Sequence, residues 1–292
     1  MAHNSLADNL ERLQGLLGRH CDEQGACGCA ARRKANGARA ERAATLMPLS
    51  CSTSTVGFQS VSRDQAIRSQ HDLHGDTPAH RPDGDQTIET ALGTDNDVFT
   101  YAGPVRYPQI NPIALLFEPT IERQHTGLKR ATAFDSGGLQ KGVFRPKTPG
   151  HERYDVVAFL RGHELAVPDY RTYLADFLAS AFDDPVAYLW DSPGPLCETT
   201  LSVEPAVPSS DSRRWTFEVR FEGRIDLAWN LLAVFLPRAL EKEPWCFDVV
   251  LALKKRGVHH VPYVTTDEET AWDAIRSLSR TFIQRNLEAS MT

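Results

Sequence analysis

The strongest constraint on the fold is a strict alternation of apolar and polar side chains over residues 215–222. The apolar positions are Trp215, Phe217, Val219 and Phe221. The polar positions between them are Thr216, Glu218, Arg220 and Glu222. Because successive side chains of a β-strand point to opposite faces of the sheet, this pattern predicts a strand with one buried face. The fold must therefore include a sheet that covers a core.

Other short segments predict further strands and fewer helices. Strands are expected at residues 98–102, 113–117, 154–160, 186–190, 231–236 and 258–264, and the entirely apolar segment 113–117 is expected to be central. Helices are expected at residues 168–182 and 244–256, and from a capping box at 266–269 to residue 287. The helices do not alternate regularly with the strands, so the predicted class is α+β.

Two of these helices have a well-defined apolar face. The expected buried side chains of the first are Tyr173, Leu174, Phe177 and Leu178, and those of the last are Trp272, Ile275, Leu278, Phe282 and Ile283. Both helices are therefore expected to pack on the sheet.

The first 50 residues differ in composition from the rest of the chain. They contain ten Ala but no Val, Ile, Phe, Tyr or Trp. Leucines at helical spacing over residues 5–18 favour one amphipathic helix, and residues 30–45 combine alanine with arginine and lysine. We expect residues 1–46 to be a basic, poorly ordered arm, residues 47–292 to form one α+β domain, and removal of residues 19–46 to leave that domain folded.

The overall charge and hydropathy exclude several classes of protein. The formal net charge is −6, which argues against a chain that wraps nucleic acid as a bulk polycation. No apolar run approaches the roughly 20 residues of a membrane span, and residues 1–5 do not begin a secretory signal. A cytoplasmic protein that does not associate with membranes is expected.

Cysteine and histidine give two weak indications of metal binding. The six cysteines are scattered, which favours a reducing compartment, and their one cluster is His20-Cys21 with Cys27 and Cys29. Zinc and reduced, unligated cysteines both remain open there, although the spacing is not that of a usual zinc site. The polar segment 62–97, with His71, His74 and His80, is expected to be a long loop; no metal site is predicted.

Common catalytic signatures are absent from the sequence: it has no P-loop, no GxGxxG, no HExxH and no GxSxG motif. The run Asp135-Ser136-Gly137-Gly138 is the first candidate site, because consecutive amides beside glycine can bind an anion. An ordinary Asx-type turn explains the same residues.

Glu218 is the second candidate. A carboxylate in the middle of a strand is held rigidly, and Arg220 lies on the same face, where it would keep the carboxylate ionised. A solvated sheet face explains the same pattern.

Several segments together resemble mono-ADP-ribosyltransferase-like domains. Residues 214–220, then Ile225-Asp226-Leu227 and the strands near 231 and 258, are similar to the last part of such domains. The run Leu49-Ser50-Cys51-Ser52-Thr53-Ser54 with Gly57-Phe58-Gln59-Ser60-Val61 resembles their first strand and helix, and residues 97–101 resemble their middle strand. The resemblance implies an α+β fold with a split, mixed or antiparallel sheet and packed helices.

The resemblance also implies a function and a set of site residues. It implies an enzyme that uses NAD as a substrate to modify a macromolecular acceptor, protein or nucleic acid, as in toxins or phage defence. Glu218 would hold the nicotinamide-side ribose, and Phe99 or Tyr101 would stack on nicotinamide. Thr53 and Ser54 belong to the segment that would contact NAD, and Ser136 is our own addition as a phosphate contact.

Cys51 departs from the family pattern. It occupies the position of a histidine or arginine that grips NAD, and a thiol cannot make the same hydrogen bonds. A second hypothesis therefore stays open, a non-catalytic interaction protein on a diverged α+β fold. In either case residues 62–97 and the basic stretch 32–42 are the candidate contacts with a macromolecular partner. A cleft that contains Glu218, Tyr101 and Cys51 together would favour the enzyme.

Overall fold

A computed structural model describes the parts of the chain that carry most of the predicted elements. The described residues are 28–69, 91–106, 112–121, 125, 127, 129–147, 154–166, 170–192, 194, 196–197, 201–207, 212–228, 230–265 and 270–291. The predicted helix at 5–18, Cys21, Cys27, the capping box at 266–269 and the loop histidines His71, His74 and His80 lie outside them.

Helices and strands both occur along the whole described part of the chain. The helices are α1 (Cys29–Leu46), α2 (Thr55–Asp64), α3 (Ser136–Gln140), α4 (Val156–His163), α5 (Tyr170–Ala181), α6 (Pro244–Lys255) and α7 (Ala271–Met291). The strands are β1 (Leu49–Thr53), β2 (Ala66–Arg68), β3 (Asp97–Ala102), β4 (Ile113–Phe117), β5 (Lys129–Thr132), β6 (Phe144–Pro146), β7 (Leu165–Ala166), β8 (Val203–Pro205), β9 (Glu218–Glu222), β10 (Arg224–Asp226), β11 (Leu231–Pro237) and β12 (His259–Tyr263). Short 3-10 helices cover Val186–Trp190, Ser212–Trp215 and Arg238–Lys242.

In the described part of the chain, eight strands form one sheet in the order β12-β11-β4-β1-β3-β9-β5-β7. The pairing of β11 with β12 is parallel, and the other pairings in this sheet are antiparallel. The predicted α+β class, with a mixed and largely antiparallel sheet and packed helices, is confirmed. The segment Ile113–Phe117 is an interior strand in which all five residues are buried, as expected.

The sheet is weakly joined between β1 and β3. Among the described residues these two strands pair only at Leu49 with Ala102 and at Ser50 with Tyr101. By contrast, β1 pairs with β4 along its whole length, and β3 pairs with β9 from Asp97 to Tyr101. We call this junction the seam, because it divides the sheet into two groups of four strands that are hydrogen-bonded to each other at one end.

Two predicted strands are helical. Residues 154–160 contribute to α4, and Val186–Trp190 is a 3-10 helix. The α4 helix begins at an N-cap, Asp155, whose side chain accepts a hydrogen bond from the backbone N–H of Ala158. Apolar runs of this length do not distinguish a buried strand from a short buried helix, and the capping side chain decides in favour of the helix.

The polar segment predicted as a loop is shorter than expected. Residues 62–64 complete α2, and Ala66–Arg68 form β2, which pairs with β10. The strand predicted over residues 215–222 is also shorter, because Ser212–Trp215 is a 3-10 helix and β9 begins at Glu218.

The N-terminal stretch differs most from its prediction. Residues 29–46 form α1, which packs against α5 and buries Ala40, Ala43 and Ala44. From residue 29 onward the predicted arm therefore contributes side chains to the core, although it has no Val, Ile, Phe, Tyr or Trp. Alanine is small enough to let two helix backbones approach closely, so a row of alanines makes a helix interface without any large apolar side chain.

The arginines of α1 form part of the same interface. Arg32 Nε lies 2.6 Å from Asp183 Oδ1, Arg39 Nη2 lies 2.8 Å from Asp184 Oδ1, and Arg33 Nε lies 3.8 Å from Asp176 Oδ1. Inside the interface, Asn36 Nδ2 donates a hydrogen bond of 3.1 Å to the carbonyl of Phe182. The basic stretch is therefore neutralised by the aspartates that follow and line α5.

A buried arginine fixes the C-terminal helix to the sheet. Arg106 Nε lies 2.8 Å from Asp191 Oδ1, and Arg276 of α7 contacts the other oxygen of the same carboxylate at 2.5 Å. The Arg106 guanidinium also stacks 3.9 Å from the Tyr188 ring centre. The chain after β3, the 3-10 helix at 186–190 and α7 thus meet at one carboxylate.

The predicted core helix lies where expected. On α5 the side chains of Tyr173, Leu174, Phe177 and Leu178 are buried. On α7, Ile275 and Ile283 are buried, whereas Trp272, Leu278 and Phe282 are partly exposed. Among the described residues no helix is both long and apolar enough to cross a bilayer.

We expect Phe177→Ala to destabilise the protein by about 3–5 kcal/mol, the usual cost of removing a buried phenylalanine. The Phe177 ring is fully buried and lies 5.9 Å from that of Phe217 and 5.5 Å from that of Phe182, measured between ring centres. Phe247→Ala is the control, because that side chain is 60% exposed and its loss leaves no cavity. Urea denaturation gives both values, and equal costs for the two variants would contradict this account of the core.

We expect a chain that starts at Met47 to melt about 10 °C or more below one that starts at Gly28. The two chains differ by α1, whose loss exposes the face of α5 that it covers, and ~1 kcal/mol shifts the melting temperature of a domain of this size by only a few degrees. Thermal unfolding followed by circular dichroism measures the difference. Equal melting temperatures would show that α1 is dispensable, as the composition alone suggests.

Candidate functional site

A row of polar side chains crosses the sheet at the seam. Tyr101 of β3 is paired with Glu218 of β9 on one side and with Ser50 of β1 on the other. Glu218 is in turn paired with Thr132 of β5. Because residues paired directly across a sheet share a face, Ser50, Tyr101, Glu218 and Thr132 lie in one row on one face.

The Glu218 carboxylate is enclosed by the N-terminal turn of α3. Its Oε1 accepts a hydrogen bond of 2.8 Å from the Ser136 hydroxyl, and its Oε2 accepts one of 3.2 Å from the Ser136 backbone N–H. Asp135 holds that turn in place, since its side chain accepts a hydrogen bond of 2.9 Å from the Gly137 N–H. Gly138 is required there, because a Cβ at this position would lie 2.3 Å from the Phe144 ring.

The turn formed by Asp135-Ser136-Gly137-Gly138 is thus an Asx-capped helical turn. Its serine binds a carboxylate of the protein itself. In the structure Ser136 contacts Glu218, and its contact with a phosphate stays a prediction.

Both Glu218 and Arg220 are buried, so the polar face of β9 is not a solvated surface. Arg220 Nε lies 3.3 Å from Glu218 Oε1, and Arg220 Nη2 donates a hydrogen bond to Oε2 of Glu164. The same guanidinium lies 5.7 Å from the centre of the Phe99 ring. Arg220 is therefore shared between two carboxylates and one aromatic ring.

The charges continue from Glu164 to a second arginine. Arg130 Nε lies 3.5 Å from Glu164 Oε1, and Arg130 Nη1 donates hydrogen bonds of 2.5 and 2.7 Å to the two oxygens of Asp97. Acidic and basic groups thus alternate along one chain of contacts, which we call the charge chain. Its members are Glu218, Arg220, Glu164, Arg130 and Asp97.

Burial controls the ionisation of the acidic groups. It raises the pKa of Glu218 to about 8, because removal of the carboxylate from water outweighs the attraction of Arg220 and the hydrogen bonds of Ser136. The nearby Asp135 raises it further. Burial also raises the pKa of Asp97 to about 6, against the attraction of Arg130 and Arg220. The expectation that Arg220 keeps Glu218 ionised is therefore wrong for the protein without a ligand.

For Arg220, unlike Glu218, the neighbouring charges outweigh the effect of burial on the pKa. Burial alone would lower the pKa of Arg220, but the carboxylates of Glu218, Glu164 and Asp97 together outweigh this effect and raise the pKa. Arg220 therefore stays charged, and Glu218 is the member of the pair that takes up a proton.

Cys51 does not join this site. Successive residues of β1 point to opposite faces, so Cys51 and Thr53 lie on the face opposite Ser50, Tyr101 and Glu218. The Cys51 side chain belongs to the apolar core, and burial raises its pKa to about 12, so the thiol is not a nucleophile. The expected grouping of Glu218, Tyr101 and Cys51 in one cleft is therefore wrong, because Cys51 lies on the other face and the Glu218 side chain is fully buried.

The remaining predicted site residues have separate positions. Ser54 is the N-cap of α2, where its side chain accepts a hydrogen bond of 3.0 Å from the Gly57 N–H. Phe99 and Tyr101 are both partly exposed on the face that carries Glu218. The structure thus brings together Glu218, Ser136, Tyr101 and Phe99, and it puts Cys51 and Thr53 on the opposite face of the sheet.

Sequence reasoning missed Glu164. It ends α4, where its backbone N–H bonds to the carbonyl of Leu160, and its side chain bridges two arginines from different strands. Within the described ranges no three His, Cys, Asp or Glu side chains are arranged to hold a metal ion. The sequence matches no protein-family model and no curated protein.

We expect the stability of the wild type to fall relative to that of Glu218→Gln as the pH rises from about 4.5 to about 8. The folded protein binds the Glu218 proton more tightly than the unfolded chain does, so its contribution is complete below the ordinary carboxyl pKa and is lost as the pH approaches the raised value. Glutamine has nearly the same shape and does not titrate. Urea denaturation over this pH range measures the difference, and parallel pH profiles would show that Glu218 is ionised in the folded state.

Proposed function

We propose that the protein is an NAD-dependent ADP-ribosyltransferase-like enzyme that modifies a macromolecular acceptor. The observation that carries the proposal is the position of Glu218, beside Tyr101 at the seam of a mixed sheet. The sequence resemblance assigns a carboxylate and an aromatic ring to this location. The buried Ser136 contact holds the carboxylate in one orientation, as a reacting group requires.

Cleavage of NAD between nicotinamide and ribose needs a group that stabilises positive charge. The bond from the ribose carbon to the nicotinamide nitrogen breaks, and nicotinamide leaves with the bonding electrons. The ribose becomes oxocarbenium-like until a nucleophile of the acceptor forms the new bond. A carboxylate beside that carbon stabilises the developing charge.

The raised pKa of Glu218 is compatible with this role. A nearby positive charge favours the ionised form of a carboxyl group. The nicotinamide ring of NAD carries such a charge, so binding of NAD next to Glu218 would lower its pKa and release the proton. Glu218 would then be neutral at rest and ionised when substrate is bound.

The aromatic side chains support the same orientation. Tyr101 and Phe99 are partly exposed and lie on the face of the sheet that carries Glu218. A partly exposed ring offers one surface for stacking on nicotinamide. The Phe99 ring centre lies 5.7 Å from the Arg220 guanidinium.

A non-catalytic interaction protein is the second candidate, and two observations favour it. Cys51 cannot supply the grip on NAD that the resemblance assigns to its position. In addition, Phe247 and Leu251 lie one turn apart on α6 and are 60% and 42% exposed. Neighbouring exposed apolar side chains are typical of surfaces that bind another macromolecule.

We expect Glu218→Gln to lower the rate of nicotinamide release from NAD by a factor of about 10² or more, the usual effect of removing one electrostatic contact to a transition state. Glu222→Gln is the matched control, because Glu222 lies on the same strand, exposed and outside the charge chain. Nicotinamide is quantified by chromatography, and circular dichroism establishes that both variants fold.

Two results would count against the proposal. Equal release by the wild type and Glu218→Gln would remove Glu218 from the reaction. Failure of the wild type to bind NAD at millimolar concentration would favour the interaction protein.

A further inference from the structure

Arg220 makes two unequal contacts with carboxylates. Its Nη2 donates a hydrogen bond to Glu164. Its Nε lies 3.3 Å from Glu218 Oε1 but makes no hydrogen bond with it, and this nitrogen has no other partner among the described residues. The directional part of the arginine interaction therefore goes to Glu164, and Glu218 receives only the attraction of the charge.

Glu164 is itself held in a fixed position. Its backbone ends α4, and its other carboxylate oxygen lies 3.5 Å from Arg130, which is anchored by both oxygens of Asp97. Its side chain is 16% exposed, which makes it the more accessible partner of the almost fully buried Arg220. Glu164 can therefore hold Arg220 without moving toward Glu218.

We infer that Glu164 is a positioning residue that turns the Arg220 guanidinium, so that Arg220 makes its hydrogen bond to Glu164 and not to Glu218. If Glu164 were absent, Arg220 could rotate its planar set of donors toward Glu218 and form paired hydrogen bonds with both of its oxygens. Removal of the Glu164 charge acts in the same direction, because Arg220 would then be neutralised by Glu218 and Asp97 without Glu164.

The other groups around Glu218 do not explain why Arg220 makes its hydrogen bond to Glu164 and not to Glu218. They are Asp135 and Ser136 from the turn of α3 and Tyr101 from β3. Asp135 disfavours the charged form and Ser136 favours it, but neither competes for Arg220. Asp97 attracts Arg220 directly but makes no hydrogen bond with it, and its carboxylate is held by Arg130.

The inference rests on the proposed function only for its consequence in catalysis. It predicts that Glu164 sets the pH at which the enzyme has an ionised Glu218 before NAD binds. Its central claim concerns the protein without substrate, so it can be tested even if the protein has no activity toward NAD.

The experiment is a carboxyl ¹³C NMR titration of protein labelled at glutamate, with the Glu218 resonance assigned by its loss in Glu218→Gln. In Glu164→Gln we expect the pKa of Glu218 to fall by about one unit or more, the usual effect of a fully formed pair with arginine. Glu204→Gln is the control, since Glu204 makes an exposed ion pair with Arg145 elsewhere and its loss should leave the Glu218 titration unchanged.

A second variant separates position from charge. Glu164→Asp keeps the negative charge but shortens the side chain, so it should no longer reach Arg220. If Glu164 acts by holding Arg220, the pKa of Glu218 also falls in Glu164→Asp. An unchanged or higher pKa of Glu218 in Glu164→Asp overturns the inference, whatever the result in Glu164→Gln.

The activity readout is independent of that titration. If the protein releases nicotinamide, the pH profile of the rate in Glu164→Gln should shift toward lower pH together with the pKa of Glu218. A shifted titration without any nicotinamide release by the wild type would support the role of Glu164 and contradict the proposed function. An unshifted titration with normal nicotinamide release would do the reverse.

Discussion

The burial of Glu218 and Arg220 on one strand is the constraint on which the site depends. A sheet face that is covered cannot leave a charge without a partner, because an isolated buried ion is far less stable than a solvated one. β9 is closed on this face by the turn of α3 and the end of α4, so each group that closes it must also satisfy a polar atom. Ser136 donates hydrogen bonds to Glu218, and Glu164 accepts one from Arg220. Arg130, which is bound to Asp97, lies beside Glu164. The position of α4 is thereby linked to the protonation of a carboxyl group on β9.

The elements predicted correctly from the sequence are those whose pattern has one structural solution. Ile113–Phe117 is apolar throughout, as a strand that is covered on both faces must be, and it is an interior strand. The segment 168–182 has helical spacing over several turns, and Tyr170–Ala181 is a buried helix. Val186–Trp190 has no such length, and its apolar residues fit a 3-10 helix as well as a strand. For α1 the error has another origin, since counting large apolar side chains underestimates what a row of alanines can bury.

The candidate site was less accessible to sequence reasoning than the fold. Alternation over residues 215–222 assigned Glu218 and Arg220 to one face, but it could not tell a covered polar face from a solvated one, because both have the same sequence pattern. The covering groups, Ser136 and Glu164, are distant in sequence from β9, and Glu164 has no motif around it. Long-range pairing of a lone glutamate with a lone arginine leaves no local signal. It follows that the ionisation of Glu218 could not be inferred before the sheet and its cover were known.

Successive side chains of β1 alternate between the two faces of the sheet, and this limits which residues of the strand can contact NAD in the proposed reaction. Cys51 lies on the opposite face from Glu218, so no rotamer of its side chain reaches the row at the seam. Replacement of Cys51 by a residue that forms better hydrogen bonds would therefore not create a contact with the substrate. Ser50 and Ser52 lie on the face of Glu218, and the Ser50 hydroxyl already donates a hydrogen bond of 3.2 Å to the Tyr101 carbonyl. Ser52 is partly exposed and lies just beyond the last pair that joins β1 to β3. In the proposed enzyme, Ser50 and Ser52 are therefore the residues of β1 that lie on the same face as Glu218.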